Sequence, residues 1–352
     1  MSLPPTTPRA SRWRWIAGGA AVVAAAVLLV AVLIVRVPTT APEQPTTPEE
    51  TVRAFLDALA RTDGATARRL IVTGPAAGPS TTFLTDDALA RQQEAAPIGD
   101  VRITGTGTTG TSEATDTTAE SPAPTGDRAV VGAAFRIGDH AVSTTYTLTR
   151  NQGRWLLADG VRSVSIAASP IPGLTLFGIP VAGHASAYVF PGRLVWGSAD
   201  PYLAVAAPDG TATDAADVPG GSAAIPTPDL VAALSESGRR AVDAALTRHL
   251  DGCASSRQAD ASTDRPGCVQ RLFRDARPGS VQWTAPDDLD DLVVDVDQAD
   301  PTRVSVFGSV TWHVGYTPTY GDRPVRTTVE QPTEGTVDMT GTPTPTYTPS
   351  DG

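Results

Sequence analysis

Ile16 to Val35 is an unbroken run of 20 uncharged, mostly apolar residues, IAGGAAVVAAAVLLVAVLIV. At about 1.5 Å of rise per residue, a helix of that length spans roughly 30 Å, the hydrocarbon thickness of a bilayer. A secretory signal has a shorter apolar stretch, about 7–15 residues, and small residues at its cleavage site. Here Arg36-Val37-Pro38 follows, and only Thr39 and Ala41 are small enough to serve. A lipoprotein needs a cysteine just after the run, and the chain holds only Cys253 and Cys268. A buried core helix is a poor alternative, since with no apolar–polar periodicity this helix would be apolar all round. The expectation is therefore a retained signal-anchor.

Charge orients it. Arg9, Arg12 and Arg14 precede the run, and Arg36 alone follows closely. The positive-inside rule places the N-terminus in the cytoplasm and the bulk of the chain outside. Trp13 and Trp15 sit where interfacial indoles are favoured. Ala17, Ala21 and Ala25 offer a small-residue face, a spacing that an alanine-rich helix produces by chance. The chain carries −11, and removing the three arginines of the tail leaves −14 for the rest. Such an acidic body is a poor partner for nucleic acid and for anionic lipid headgroups. Every basic residue is arginine and none is lysine, which with the abundant Ala, Gly, Pro and Thr reads as the coding bias of a high-GC bacterium. The expected location is its plasma membrane, with the C-terminal region extracytoplasmic.

Two cysteines outside the cytoplasm predict one disulfide, Cys253–Cys268, around the polar loop ASSRQADASTDRPG. The rival is a two-cysteine metal site, which needs neighbouring histidines; only His249 is near.

After the run, the composition divides the chain. Residues 1–15 form the cytoplasmic tail, 16–35 the membrane helix and 36–46 a Pro/Thr stalk. In polyproline conformation such a stalk extends about 3.1 Å per residue. A capping box then opens a helix: Thr47 as N-cap, Pro48 at the first position and Glu50 closing the box. Val52, Phe55, Leu56 and Leu59 share one face, and Asp63-Gly64 ends it. Two shorter helices follow, around Ala67–Ile71 and from Thr85 toward Ala95. The period then changes to two. Strands are expected from Val101, over 129–137, 141–149 and 154–166, with a low-complexity loop at 105–126 and turns at Gly138-Asp139 and Asn151-Gln152-Gly153. Helices followed by a four-stranded meander make an α+β layer.

The opening TPEETVRAFLDALARTDGATARRLI and the closing TYTLTRNQGRWLLADGV resemble the nuclear-transport-factor-2-like, or cystatin-like cone, domains that follow a single membrane helix in actinobacterial envelope proteins. The resemblance covers 47–168 and rests on the order of elements. It implies a cone with a pocket lined by Phe55, Tyr146 and Trp155. Members of that group include enzymes, binders and scaffolds, so it implies a fold rather than an activity.

Residues 169–226 read as a small β-rich module, with short strands joined at Pro191-Gly192 and Asp200-Pro201. Its Tyr188, Phe190, Trp196 and Tyr202 are either core or an aromatic platform for sugar. Residues 227–340 are expected to form a second α+β domain. A helix should start at Thr227-Pro228, carry Leu230, Leu234, Val242, Leu246 and Leu250, and end at Asp251-Gly252. Strands should follow the cysteine loop near 280–284, 291–297, 303–316, 325–331 and 335–340, with a flexible tail at 341–352.

The search for chemistry is mostly negative. In DDLDDLVVDVDQAD the count from Asp290 puts Asp295 sixth and Pro301 twelfth, where a calcium loop needs Gly and Glu. The alternation of Val294 and Val296 with Asp295 and Asp297 reads instead as a strand. His140, His184, His249 and His313 lie at no zinc-hydrolase spacing, and neither GxSxG nor a phosphate-binding GxxxxGK[ST] occurs. GTGTTG at 105–110 lacks the helix that a dinucleotide loop requires. Asp139 and His140 are adjacent in the chain, so on a strand they face opposite ways. The sequence thus points to no catalytic residue, metal or cofactor. It points to a non-catalytic envelope protein whose partners are the membrane and envelope proteins or cell-wall glycans. A small-ligand or glycan binder is the second reading and an extracytoplasmic hydrolase the third.

Overall fold

A computed structural model describes residues 44–72, 78–107, 127–206, 225–227, 229–340 and 344–350 of the chain. The expected tail, the membrane helix at 16–35, most of the stalk and most of the 105–126 loop lie outside the described residues. Among the described residues, no helix is long and apolar enough to cross a membrane. The elements all belong to Thr46–Gly352, one of the two units into which the chain divides. They form an α+β structure with several antiparallel sheets.

The capping box is present as read. Thr47 accepts from the backbone N–H of Glu50, and the Glu50 carboxylate accepts in return from Thr47 N–H. That opens α1 (Pro48–Ala60), whose Val52, Phe55, Leu56 and Leu59 are buried. Asp63 caps α2 (Gly64–Arg69), and Thr85 caps α3 (Asp86–Ala95). Four strands follow in a meander, β1 (Ile98–Gly107), β2 (Arg128–Ile137), β3 (His140–Asn151) and β4 (Arg154–Leu157). Gly105–Gly107, expected in the loop, belong to β1. The tight β3–β4 turn uses positive φ at Gln152 and Gly153. Between the helices and the sheet lies a core that includes Phe55, Leu59, Leu89, Val131, Tyr146, Leu148 and Trp155.

The expected strand 154–166 is two strands. After β4, Asp159 turns its carboxylate onto the Thr147 N–H, and Ala158 N–H bonds to Thr147 O. Gly160 lies so close to Ile71 that a Cβ would stand 2.5 Å from its Cγ2. The ladder ends there, and β5 (Arg162–Ser165) pairs elsewhere, with β8 (Ser186–Val189). Two small sheets complete the middle region. β6 (Leu174–Leu176) pairs with β7 (Ile179–Pro180) and with β9 (Trp196–Ser198), and β10 (Leu203–Ala206) pairs with β11 (Val231–Leu234). The core of this region is not its own. It runs from Phe83 and Leu176 through Leu246 to Val304, Val337 and Tyr347.

Three expectations for the C-terminal region need correction. Val231–Leu234 is a strand, because the edge of β10 lies beside it. The helix α4 (Glu236–Ala254) begins only at its Ser235 cap and continues past Gly252 to bring Cys253 into its last turn. The second correction concerns the long sheet of β12 (Gln282–Thr284), β13 (Val293–Val296), β14 (Arg303–Tyr316), β15 (Val325–Asp338) and β16 (Thr346–Pro349). Residues 325–338 form one continuous strand through Pro332. Even-numbered residues of β14 bond to β15, so the Ser309–Pro332 pair is a non-bonded one and Pro332 needs no N–H. Third, the expected flexible tail carries β16, and Tyr347 is buried against the main core; 341–343 and the last two residues lie outside the described residues.

Candidate functional site

The pocket expected at Phe55, Tyr146 and Trp155 is filled by those residues themselves. All three are buried, Phe55 and Tyr146 completely. The Phe55 ring meets Tyr146 edge-on at 6.1 Å between centroids and Phe190 at 6.4 Å. Trp155 is covered from outside by the Arg150 guanidinium, 5.8 Å from its ring.

The aromatics of the middle region are not brought together on one surface. Phe190 and Tyr188 pack with the α1–β4 core, while Trp196 and Tyr202 pack with the other. Tyr188 and Tyr202 are half-buried and Trp196 is buried. A sugar platform requires exposed, coplanar faces, and these side chains supply core instead.

Cys253 and Cys268 form the expected disulfide, with Cα atoms 5.6 Å apart. His249 lies one helical turn before Cys253, its Nε2 3.6 Å from the Cys253 sulfur. Its ring meets Tyr347 at 4.9 Å. Burial holds the His249 imidazole below its usual value, partly offset by a backbone hydrogen bond with Gly267. His249, Cys253 and Cys268 are the one grouping of metal-ligand type among the described residues. With both sulfurs joined to each other, no thiolate remains to bind a cation. His184 stacks edge-on against Phe83 at 5.6 Å, and His313 sits on the exposed face of β14.

Among the described residues, hollows large enough to hold a small group include three. One, of about 470 Å³, runs between 166–174 and 180–185 and is mostly apolar. A second, of about 330 Å³, is a polar dent on the exposed face of the long sheet, where Gly315 leaves a gap between Gln282, His313 and Arg326. The third, of about 350 Å³, lies between the facing edges of β11 and β13, over one turn of α4. Its floor is Leu234, Val242 and Val296, and its rim carries Arg239, Asp243 and Asp295.

One end of that slot is closed by a side chain the sequence did not single out. The Gln298 amide donates to Ala232 O and Val296 O, both within 3.0 Å, and accepts from Ala232 N–H at 2.9 Å. It thereby ties the two strands together at that end. Gln92 plays a similar bridging part elsewhere, donating to Phe190 O and Arg193 O. A lone glutamine carries no sequence signal for such a role, because its partners lie 66 and 98 residues away.

The acidic run 287–300 contributes β13 and its flanking turns, with Asp288, Asp297 and Asp300 each accepting from backbone N–H groups nearby. These carboxylates organise turns rather than converge on one point. A comparison of the chain with protein-family models, with curated proteins and with solved structures finds no match to any of them.

Proposed function

We propose that the chain is a non-catalytic, membrane-anchored extracytoplasmic protein that displays a binding surface in the cell envelope of a high-GC bacterium. The observation that carries this reading is the closed interior between α1–α3 and β1–β4. In the nuclear-transport-factor-2-like group that the N-terminal region resembles, that interior is where a ligand pocket or catalytic groups would lie. Here Phe55, Tyr146, Trp155 and Phe190 fill it with apolar rings. Among the described residues, no carboxylate or histidine is fully buried, and the buried polar side chains of this region are Thr51 and Gln92. Three helices set over an antiparallel meander support the cone reading of 47–168, and the single disulfide fits an oxidising compartment. Function then falls to the outer surfaces.

Intact cells treated with an external protease test the location. The expected result is loss of the 46–352 region while a fragment bearing the N-terminal arginines stays with the membrane through a carbonate wash. Full protection of the large region, or its release by the wash, overturns the reading. A thermal scan of the purified chain with cell-wall glycan fragments tests the binder alternative, since any ligand of the native state raises Tm by mass action. No shift is expected.

A further inference from the structure

The end of α4 and the loop after it bring three ligand atoms to one point. His249 and Cys253 stand four residues apart on α4, so both side chains leave the same face of the helix. Cys268 reaches that face from the loop. One nitrogen of His249 and the two sulfurs lie within 4.8 Å of one another. The His249 Nε2 is 3.6 Å from the Cys253 sulfur. Two such atoms bound to one tetrahedral zinc ion, at about 2.1 and 2.3 Å, also lie about 3.6 Å apart.

The imidazole is already oriented. It meets Tyr347 edge-on at 4.9 Å, and its hydrogen bond with the Gly267 backbone is of the kind that fixes the tautomer of a metal-bound ring. Burial favours its neutral form, which is the form that binds a cation. The loop is also held by more than its sulfurs. Gln270 Nε2 donates to Cys253 O at 2.9 Å, Cys268 N–H to Arg265 O at 3.1 Å and Leu272 N–H to Ala259 O at 2.7 Å. These bonds keep Cys268 near α4 whether the sulfurs are joined or free. Beside them lies a hollow of about 10 Å³, room for one water. Gln270 and Thr333 line it, each with a buried side-chain oxygen that has no partner among the described residues.

We infer that the reduced chain binds one zinc ion through His249 Nε2 and the Cys253 and Cys268 thiolates, with a water in the fourth position, so that metal and disulfide are alternative staples of one segment. A newly made chain, its cysteines still thiols, reaches this state directly. From the disulfide form a dithiol reductant is required: Cys253–Cys268 takes up two electrons and two protons while the reductant closes its own disulfide. The freed sulfurs then part to about 3.8 Å, the spacing of two thiolates on one ion, and zinc displaces both thiol protons to solvent. The inference goes beyond the reading of a displayed binding surface and concerns the folded chain alone. It stands or falls independently of membrane location.

The test uses the full chain purified in detergent, reduced with a phosphine under argon and freed of reductant, with Zn²⁺ and its spectroscopic stand-in Cd²⁺. Cd²⁺ is expected to give a thiolate-to-metal charge-transfer band that saturates at one ion per chain. Zn²⁺ should raise the Tm of the reduced chain by mass action and slow amide exchange in 255–273. The chain with its disulfide intact should bind neither ion. His249→Phe keeps a ring against Tyr347 and should weaken Cd²⁺ binding roughly tenfold, with the saturating band unchanged because both thiolates remain. The reduced chain unfolded in urea should also bind roughly tenfold more weakly, since the fold assembles the site. No band at micromolar Cd²⁺, equal binding to the disulfide form, or equal affinity in urea overturns the metal site. Undiminished affinity in His249→Phe overturns the three-ligand set.

Discussion

The two main sheets of this chain are stabilised by different means. The β1–β4 sheet is roofed by three helices, and its inner face is a block of aromatic and aliphatic side chains. The longer β12–β16 sheet has one helix, α4, and a looped segment over its inner face, while its outer face is open. Its inner face holds Trp312 and Trp283, edge-on at 6.0 Å, beside the disulfide. The first sheet relies on burial; the second adds a covalent staple and a buried amide, Gln270, whose Nε2 donates to Cys253 O. Where apolar cover runs short, a cross-link takes over.

The sharpest contrast is a pair of phenylalanines. Phe55 is wholly buried between two other rings, whereas Phe307 is 46% exposed on the outer face of β14. Phe55→Ala should cost about 3–5 kcal/mol in urea denaturation, since the cavity cannot collapse around rigid rings. Phe307→Ala should stay within about 0.5 kcal/mol, as surface changes do. Equal losses would mean that the outer face is covered in the native protein.

The disulfide sharpens the comparison next. Cys253→Ser with Cys268→Ser removes a link spanning 15 residues, worth about 3 kcal/mol in the chain-entropy account. Hydrogen exchange should rise in 255–273 and along β12, and stay unchanged in α1 and β1–β4. Faster exchange in both sheets alike would show that they melt as one cooperative unit.

The capping box is a smaller lever on the first sheet's roof. Thr47→Ala removes the acceptor for Glu50 N–H and should lower stability by about 1 kcal/mol, read from the urea midpoint at constant m-value. An unchanged midpoint would mean that α1 is held by its buried face alone.

What was legible in the sequence divides along the same line. The Thr47 box, the Asn151–Gly153 turn, the bounds of β14 and the cysteine pairing each depend on residues close in the chain, or on the only two cysteines available. β11, the passage of β15 through Pro332, and β16 do not. Their conformations are set by neighbours: β11 by the edge of β10, Pro332 by an alternation counted from β13, and Tyr347 by the core it enters. A Leu-x₃-Leu spacing at 230 and 234 fits a helix as well as a strand until the pairing edge is known. Tyr188, Phe190, Trp196 and Tyr202 left core and surface both open for a related reason, since composition does not tell which face of a short strand is covered. Gln298 was invisible because its role belongs to two backbones that meet only in the fold.

The least effect expected is one of pH, and it belongs to the second sheet. Burial lowers the affinity of folded His249 for a proton, and the Gly267 backbone only partly restores it. Between that lowered value and the ordinary 6.5 of the unfolded chain, the unfolded state binds more protons than the folded one. Stability therefore rises with pH across this window, and is lost as pH falls below the ordinary imidazole value near 6.5. The lowered carboxylates, Glu50, Asp63, Asp260 and Asp338, act in the same direction but below the ordinary carboxylate value near 4. Asp159, raised chiefly by burial, acts in the opposite direction above that value. Urea midpoints at pH 7.5 and 5.5 should thus differ for the parent chain, and the difference should shrink in His249→Phe, which keeps a ring against Tyr347. The tyrosine itself, pushed up to about 12 chiefly by burial and further by Glu334, stays neutral throughout that range. An undiminished difference in the variant would place the proton-linked step elsewhere and leave the staple region insensitive to acid.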